Sequence, residues 1–287
     1  MEILNTVRTF IGEGPVWNEK EQKLYYVNPY GNEYRILDIY TKEIEYVKVD
    51  IPVCAIAFSD KGDIIVSQRD GIHILNPDGT RTPLYDKEKY NLQYCNDMKV
   101  GPDGRIYVGT QSEKRVKKSD KIDGKFYSID NEGNVKILLD NIRLSNGLEW
   151  SLDEKFLYHT DSDTKIIKEY AFDKQSGEIE YTGREIALKS VDGITIDMEG
   201  NLLAAAWGYG HLSVIDTKTL TIKDYIEVPA KIPASCGFAG KDMEKLIIVT
   251  ADYNGISKED KNAGYTFSHN HFSVGRKPYI FKTKEDE

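Results

Sequence analysis

Cysteine is scarce in this chain: three among 287 residues, with no close pair spacing. That excludes a disulfide framework or a zinc knuckle and suits a reducing compartment. Long apolar runs are missing too. No window approaches the roughly 18–20 apolar residues of a membrane span, and the start, Met1 to Thr9, lacks a signal peptide's basic region and apolar stretch. There is no basic excess: the formal net charge is −9, whereas a phosphate-binding surface needs clustered Lys and Arg. The five histidines are scattered. His73, His159 and His211 stand apart, and His269 and His271 lie in a segment read as loop. No Gly-x-Ser-x-Gly elbow is present, and neither Cys54 nor Ser235 has a partner that would make it a nucleophile. No Pro/Ser-rich linker, low-complexity run or sustained helical period interrupts residues 1–287. The expectation is a single cytoplasmic all-β domain, 1–287, with neither nucleic-acid nor membrane partners.

What is present is a repeat. Six times a short turn leads into an apolar strand, and the residue just before that strand can hold a metal or make a directed hydrogen bond. These residues are Glu13 before Gly14–Trp17, Cys54 before Ala55–Phe58, Asn96 before Asp97–Val100, Asn146 before Gly147–Trp150, Asp192 before Gly193–Ile196 and Ser235 before Cys236–Ala239. They are 41, 42, 50, 46 and 43 residues apart, a period of about 45 that belongs to radial arrays. After each comes a Gly/Asp/Lys turn and a strongly apolar second strand, such as Ile64–Ser67 or Leu202–Ala206. Third strands follow at Tyr34–Asp38, Gly71–Asn76, Phe126–Asp130, Ile167–Asp173, Leu212–Asp216 and Tyr279–Phe281, with outer strands as in Glu43–Val49, Val135–Leu139 and Thr221–Val228. Six four-stranded antiparallel units describe a six-bladed β-propeller. The sixth unit runs out with no outer strand, and Glu2–Thr9 has none to pair with, so the N-terminal strand is expected to close the ring. In a radial array the six leading residues encircle one axis, and a ring of Glu, Cys, Asn, Asn, Asp and Ser looks like a site.

With Gly12-Glu-Gly-Pro-Val-Trp17, Asn96-Asp97 ahead of Gly104-Arg-Ile-Tyr-Val-Gly-Thr110, Asn146-Gly-Leu-Glu-Trp-Ser151, Asp192-Gly-Ile-Thr-Ile-Asp197 and Ser235-Cys-Gly-Phe-Ala-Gly240 in order, the chain resembles the regucalcin and gluconolactonase family, also called the senescence-marker-protein family. The resemblance implies a divalent metal at the propeller centre, held at the positions matching Glu13, Asn146 and Asp192. It also implies hydrolysis of a lactone, often a sugar lactone, with Asp192 as base and Asn96 beside the substrate. Two carboxylates with amide oxygens form a hard, all-oxygen set, which points first to Ca²⁺, with Mg²⁺, Mn²⁺ or Zn²⁺ as alternatives.

Departures from the family concern the substrate. Tyr94 stands two residues before Asn96, where sugar-lactone members often carry an Arg, so a flat face and one hydroxyl replace a guanidinium fork. The Glu that some members present to the sugar has no counterpart among the Lys residues of 114–121, a segment read as a solvated insertion in the third blade that could lean over the channel mouth. Asn28 replaces a common Asp and is read as structural. The expected function is metal-dependent opening of a lactone, sugar-derived or less hydroxylated, by water, with Asn96 and Tyr94 binding substrate. The alternatives are an aryl-ester or phosphotriester hydrolase on the same metal, or a non-catalytic metal- or metabolite-binding propeller.

Overall fold

The computed structural model describes residues 1–117 and 119–284. Six four-stranded antiparallel sheets form a ring, a six-bladed β-propeller. In each blade the innermost strand is the one the repeat singles out: Glu13–Asn18, Val53–Phe58, Cys95–Val100, Ser145–Trp150, Ile194–Ile196 and Pro233–Ala239. Second strands are almost wholly buried, as in Asn201–Ala206, because both of their faces pack against neighbouring blades. This explains why they read as continuous apolar runs rather than alternating ones. Trp150 illustrates the inter-strand core. It is fully buried, with its ring edge-on to Tyr107 at 5.0 Å and to Phe172 at 5.9 Å.

The ring closes as the sequence suggests. Glu2–Asn5 pairs antiparallel with Thr266–Asn270 and becomes the outer strand of the sixth blade. The residues that follow lock the closure. Arg35 is 2% exposed and donates to Val7 O at 2.6 Å, to Arg8 O at 2.8 Å and to the Glu33 carboxylate. Asn28 accepts from Phe10 N and donates to Glu33, which makes it a structural residue. Removal of residues 1–9 therefore uncovers a sheet edge and leaves a buried guanidinium short of two acceptors. A loss of at least about 3 kcal/mol is expected, read as a lower urea midpoint. A disordered tail would give no shift.

One strand assignment is corrected. The third strand of the sixth blade is Thr266–Asn270, not Tyr279–Phe281, so His269 lies on a strand. Residues 271–283 instead form a strap across the face opposite Glu13, where the turns between first and second strands gather. The strap reaches every blade. Lys277 pairs with Glu19 in the first, and Phe281 exchanges backbone bonds with Phe58 and Asp60 in the second. Lys282 N donates to Gly104 O in the third, and Arg276 donates to the carbonyls of Trp150 and Ser151 in the fourth. Met198 N donates to Val274 O in the fifth, and Gly275 N donates to Met243 O in the sixth. His271 Nε2 meets Asp197 Oδ2 at 3.0 Å, so this histidine anchors the strap. Beneath the axis the strap covers a small chamber of about 90 Å³ whose lining includes Asp97, Lys99, Glu149 and Arg276.

The 114–121 segment carries a short helix, Glu113–Lys117; Lys118 lies outside the described residues. No helix among the described residues is long and apolar enough to cross a membrane.

Candidate active site at the propeller axis

Five of the six inner strands begin with a local irregularity. In blades one, two, three, four and six the pairing slips by one residue, between Glu13 and Val16, Val53 and Ala55, Cys95 and Met98, Asn146 and Leu148, and Pro233 and Ser235. Such bulges bend a strand and re-aim side chains, here toward the axis. Gly14, at φ +52°, supplies the left-handed residue of the first bulge at no steric expense. At Gly147 a Cβ would come within 2.5 Å of Asp192 O, so only glycine lets blades four and five bring Asn146 and Asp192 together.

The result is a cavity of about 320 Å³ at the end of the axis away from the strap. Glu13, Cys54, Asn96, Asn146 and Asp192 all line it. Ser235 does not; it faces the lower chamber. Tyr94 is not a lining residue either. Its ring lies beside Lys117, 5.5 Å from the ammonium, while its backbone accepts from Gln111 N and donates to Arg69 O. Tyr94 thus braces two residues that do reach the cavity.

The amides are tightly organised. Asn96 Nδ2 donates to Ser145 O at 2.9 Å and to Asn146 Oδ1 at 3.1 Å, and its Oδ1 accepts from Gln111 Nε2 at 3.0 Å. Asn146 Nδ2 donates to Ser162 Oγ at 3.0 Å. That fixes which atom of Asn146 turns to its neighbours, and its Oδ1 keeps one acceptor position beyond the Asn96 bond.

The carboxylates are less well satisfied, Asp192 least of all. Asp192 is 6% exposed, and its Oδ1 is buried with no hydrogen-bond partner. Burial, then the charge of Asp97, push its pKa up to about 8, against the pull of Arg115. Glu13 is raised well above the ordinary carboxylate range by burial and by the charges of Asp192 and Asp97. Asp97 is raised by burial, with Lys99 and a 2.8 Å bond from Met98 N opposing. Carboxylates that repel one another in a desolvated site, one of them with an oxygen that has no donor, are held at a cost unless a cation joins them. Among the described residues no cluster of three or more His, Cys, Asp and Glu could hold a metal, and the Cys54 thiol, pushed up to about 12 by burial, stays protonated. The donor set is therefore two carboxylates and an amide oxygen, all hard. The residues present fit a hard divalent cation such as Ca²⁺, Mg²⁺ or Mn²⁺.

A second ring surrounds the mouth, one residue per blade just after each second strand: Tyr30, Arg69, Gln111, Ser162, Trp207 and Tyr253. Arg115, from the short helix, joins it and pairs with Asp163 at 2.6 Å. Of these, the segment holding Arg115 is read in the sequence as a solvated insertion. Recurrence at one point of the repeat was the signal available for the rest.

Fold and donor set together define a six-bladed propeller with an oxygen-lined, acidic axial cavity. The chain belongs to the SMP-30/gluconolactonase/LRE-like family, whose model matches residues 11–252. Among its relatives is YvrE of Bacillus subtilis (strain 168), which carries a provisional sugar lactone lactonase name; it is 31% identical over 283 residues and 96% of each chain. Regucalcin of Danio rerio is 31% identical over 294 residues, 94% of each chain. Among solved structures, the calcium-binding protein regucalcin from Agrobacterium tumefaciens strain C58 superposes with a TM-score of 0.86 at 22% identity. That match covers 98% of this chain and 96% of the other, a likeness of fold.

Proposed function

We propose that this protein is a divalent-metal-dependent lactonase whose ligands are Glu13, Asn146 and Asp192, with calcium the first candidate ion. The observation that carries the reading is Asp192 Oδ1: buried and unpartnered, in a cavity shared with Glu13 and Asn146. When bound, the ion supplies positive charge to the carbonyl oxygen on which negative charge develops. The protein's own groups do the rest. Glu13 and the Asn146 amide oxygen complete the oxygen set, and the Asn96 amide holds Asn146 in place. A carboxylate has two oxygens, so Asp192 can serve in that set with one and act on water with the other. With Oδ1 in the oxygen set, the other Asp192 oxygen takes the proton from water as the water's oxygen bonds to the ring carbonyl carbon. When the ring C–O bond breaks, that proton goes to the leaving alkoxide, giving the hydroxy acid. A small-molecule lactone is the partner this cavity accommodates.

The test is hydrolysis of a lactone panel followed by pH indicator. Metal-stripped protein receives Ca²⁺, Mg²⁺, Mn²⁺ or Zn²⁺ separately, with Glu13→Gln alongside. Turnover restored by an ion in the wild type and at least about 100-fold lower in Glu13→Gln is the expected result. Tight binding of an ion with no turnover of any lactone would overturn the enzymatic reading in favour of a binding propeller.

A further inference from the structure

The mouth of the cavity is chemically two-sided. Going round the ring, the fifth, sixth and first blades contribute Trp207, Tyr253 and Tyr30, an unbroken aromatic arc. Trp207 and Tyr253 meet edge to face at 5.6 Å, while Tyr30 is 60% exposed. Facing them, the second and third blades contribute Arg69, Gln111 and Arg115. The two arginines differ in their commitments. Arg115 already has Asp163 as its counter-ion. Arg69 has no side-chain hydrogen bond or ion pair among the described residues. The acid beside it, Asp70, is taken by Arg81 at 3.1 Å and by Lys87 at 3.4 Å. Arg69 is exposed and lines the cavity mouth together with Cys54 below it. In a chain of net charge −9, an exposed arginine with no ion pair among the described residues, at the mouth of an acidic cavity, is available to an anionic ligand. A dication below it would offset the axial carboxylates and leave that charge free for a ligand.

We propose that Arg69, assisted by Arg115, selects a substrate carrying its own anionic group, and that the substrate's apolar body lies against Trp207, Tyr253 and Tyr30. The substrate class is then an acidic, amphipathic lactone rather than a neutral polyhydroxylated one; this rests on the lactonase reading above. A planar guanidinium fork matches either a carboxylate or a phosphate through two parallel hydrogen bonds. The aromatic arc offers area to a ring or acyl chain and few hydrogen bonds to hydroxyls.

The test uses matched aryl-substituted five-membered lactones bearing a carboxylate, a phosphate or a neutral carboxamide, with metal-loaded full-length protein. Wild type is expected to favour one of the anionic members by at least about tenfold in kcat/KM, and the favoured member identifies the anion. Arg69→Gln is expected to lower kcat/KM for that member about tenfold more than for the carboxamide, chiefly through KM, and Arg69→Lys to restore part of the preference. Binding gives a readout independent of turnover. Each ring-opened hydroxy acid is titrated against Trp207 fluorescence, with Trp207→Phe as the blank, and Arg69→Gln should weaken the anionic one selectively. Turnover of all members with equal kcat/KM, unchanged in rank by Arg69→Gln, overturns the inference and leaves the lactonase reading standing. Arg69-dependent binding of the anionic acids without turnover of any lactone keeps the anion subsite and overturns the lactonase reading.

Discussion

Asp192→Asn is expected to cut turnover by about 10²–10⁴, the range for losing a positioned general base, without unfolding the protein. The substitution keeps the size and one oxygen of the side chain. It also removes a carboxylate that the metal-free fold holds at an expense, since Asp192 is buried and its Oδ1 has no donor. Metal affinity should fall as well, because the oxygen set loses one of its two carboxylates. The two effects separate at saturating metal. Single-turnover hydrolysis, measured while the ion is raised until binding is complete, should remain slow in Asp192→Asn. Recovery to near wild-type rate at high metal would mean that Asp192 only holds the ion and that another group handles the proton.

The parts of this molecule legible in the sequence are those that repeat with similar chemistry. Inner strands preceded by Glu13, Cys54, Asn96, Asn146 and Asp192 announced both the ring and the cavity floor, because a radial repeat turns sequence phase into position about an axis. Ser235 failed for a reason one residue wide. In the sixth blade the bulge falls between Pro233 and Ser235, so Ser235 lies past it and faces the lower chamber, whereas Glu13, Cys54, Asn96 and Asn146 lie at or before theirs. A shift of one position along a strand exchanges its faces. The third strand of the sixth blade was hidden differently. Thr266-Phe-Ser-His-Asn270 carries polar residues that read as loop, while Tyr279-Ile-Phe281 is apolar and reads as a strand, although in the fold Phe281 makes only an isolated parallel bridge to Ser59. Strand alternation cannot say which blade such a segment joins. The mouth ring went unread because its members share a position but no chemistry: Tyr30, Arg69, Gln111, Ser162, Trp207 and Tyr253 have nothing in common except their place after a second strand.

Metal affinity is expected to climb at least about 50-fold between pH 6 and pH 8. In the metal-free protein Asp192 keeps its proton up to about pH 8, and Glu13 is raised in the same direction by burial and by Asp192. An ion can use these carboxylates only when they are ionised, so binding displaces protons, and each proton displaced makes affinity rise about tenfold per pH unit below the group's acidity. Stability follows with the opposite sign. A carboxylate raised in the fold is still protonated there when the unfolded chain has released its proton at about pH 3.9. The metal-free fold therefore loses about 1.4 kcal/mol per pH unit from Asp192 as pH rises toward 8. Below about pH 6.5 the buried His73 and His159, lowered to about 4 and about 3 by burial, act in reverse, because the unfolded chain then binds the protons. The clean window is pH 6.5–8. There the metal-free protein should melt at a falling temperature as pH rises, and the loaded protein should not. Calorimetric titration in two buffers of different ionisation heat should count at least about one proton released per ion near pH 7. Affinity that stays flat across this window, with no proton released, would remove Asp192 from the ligand set.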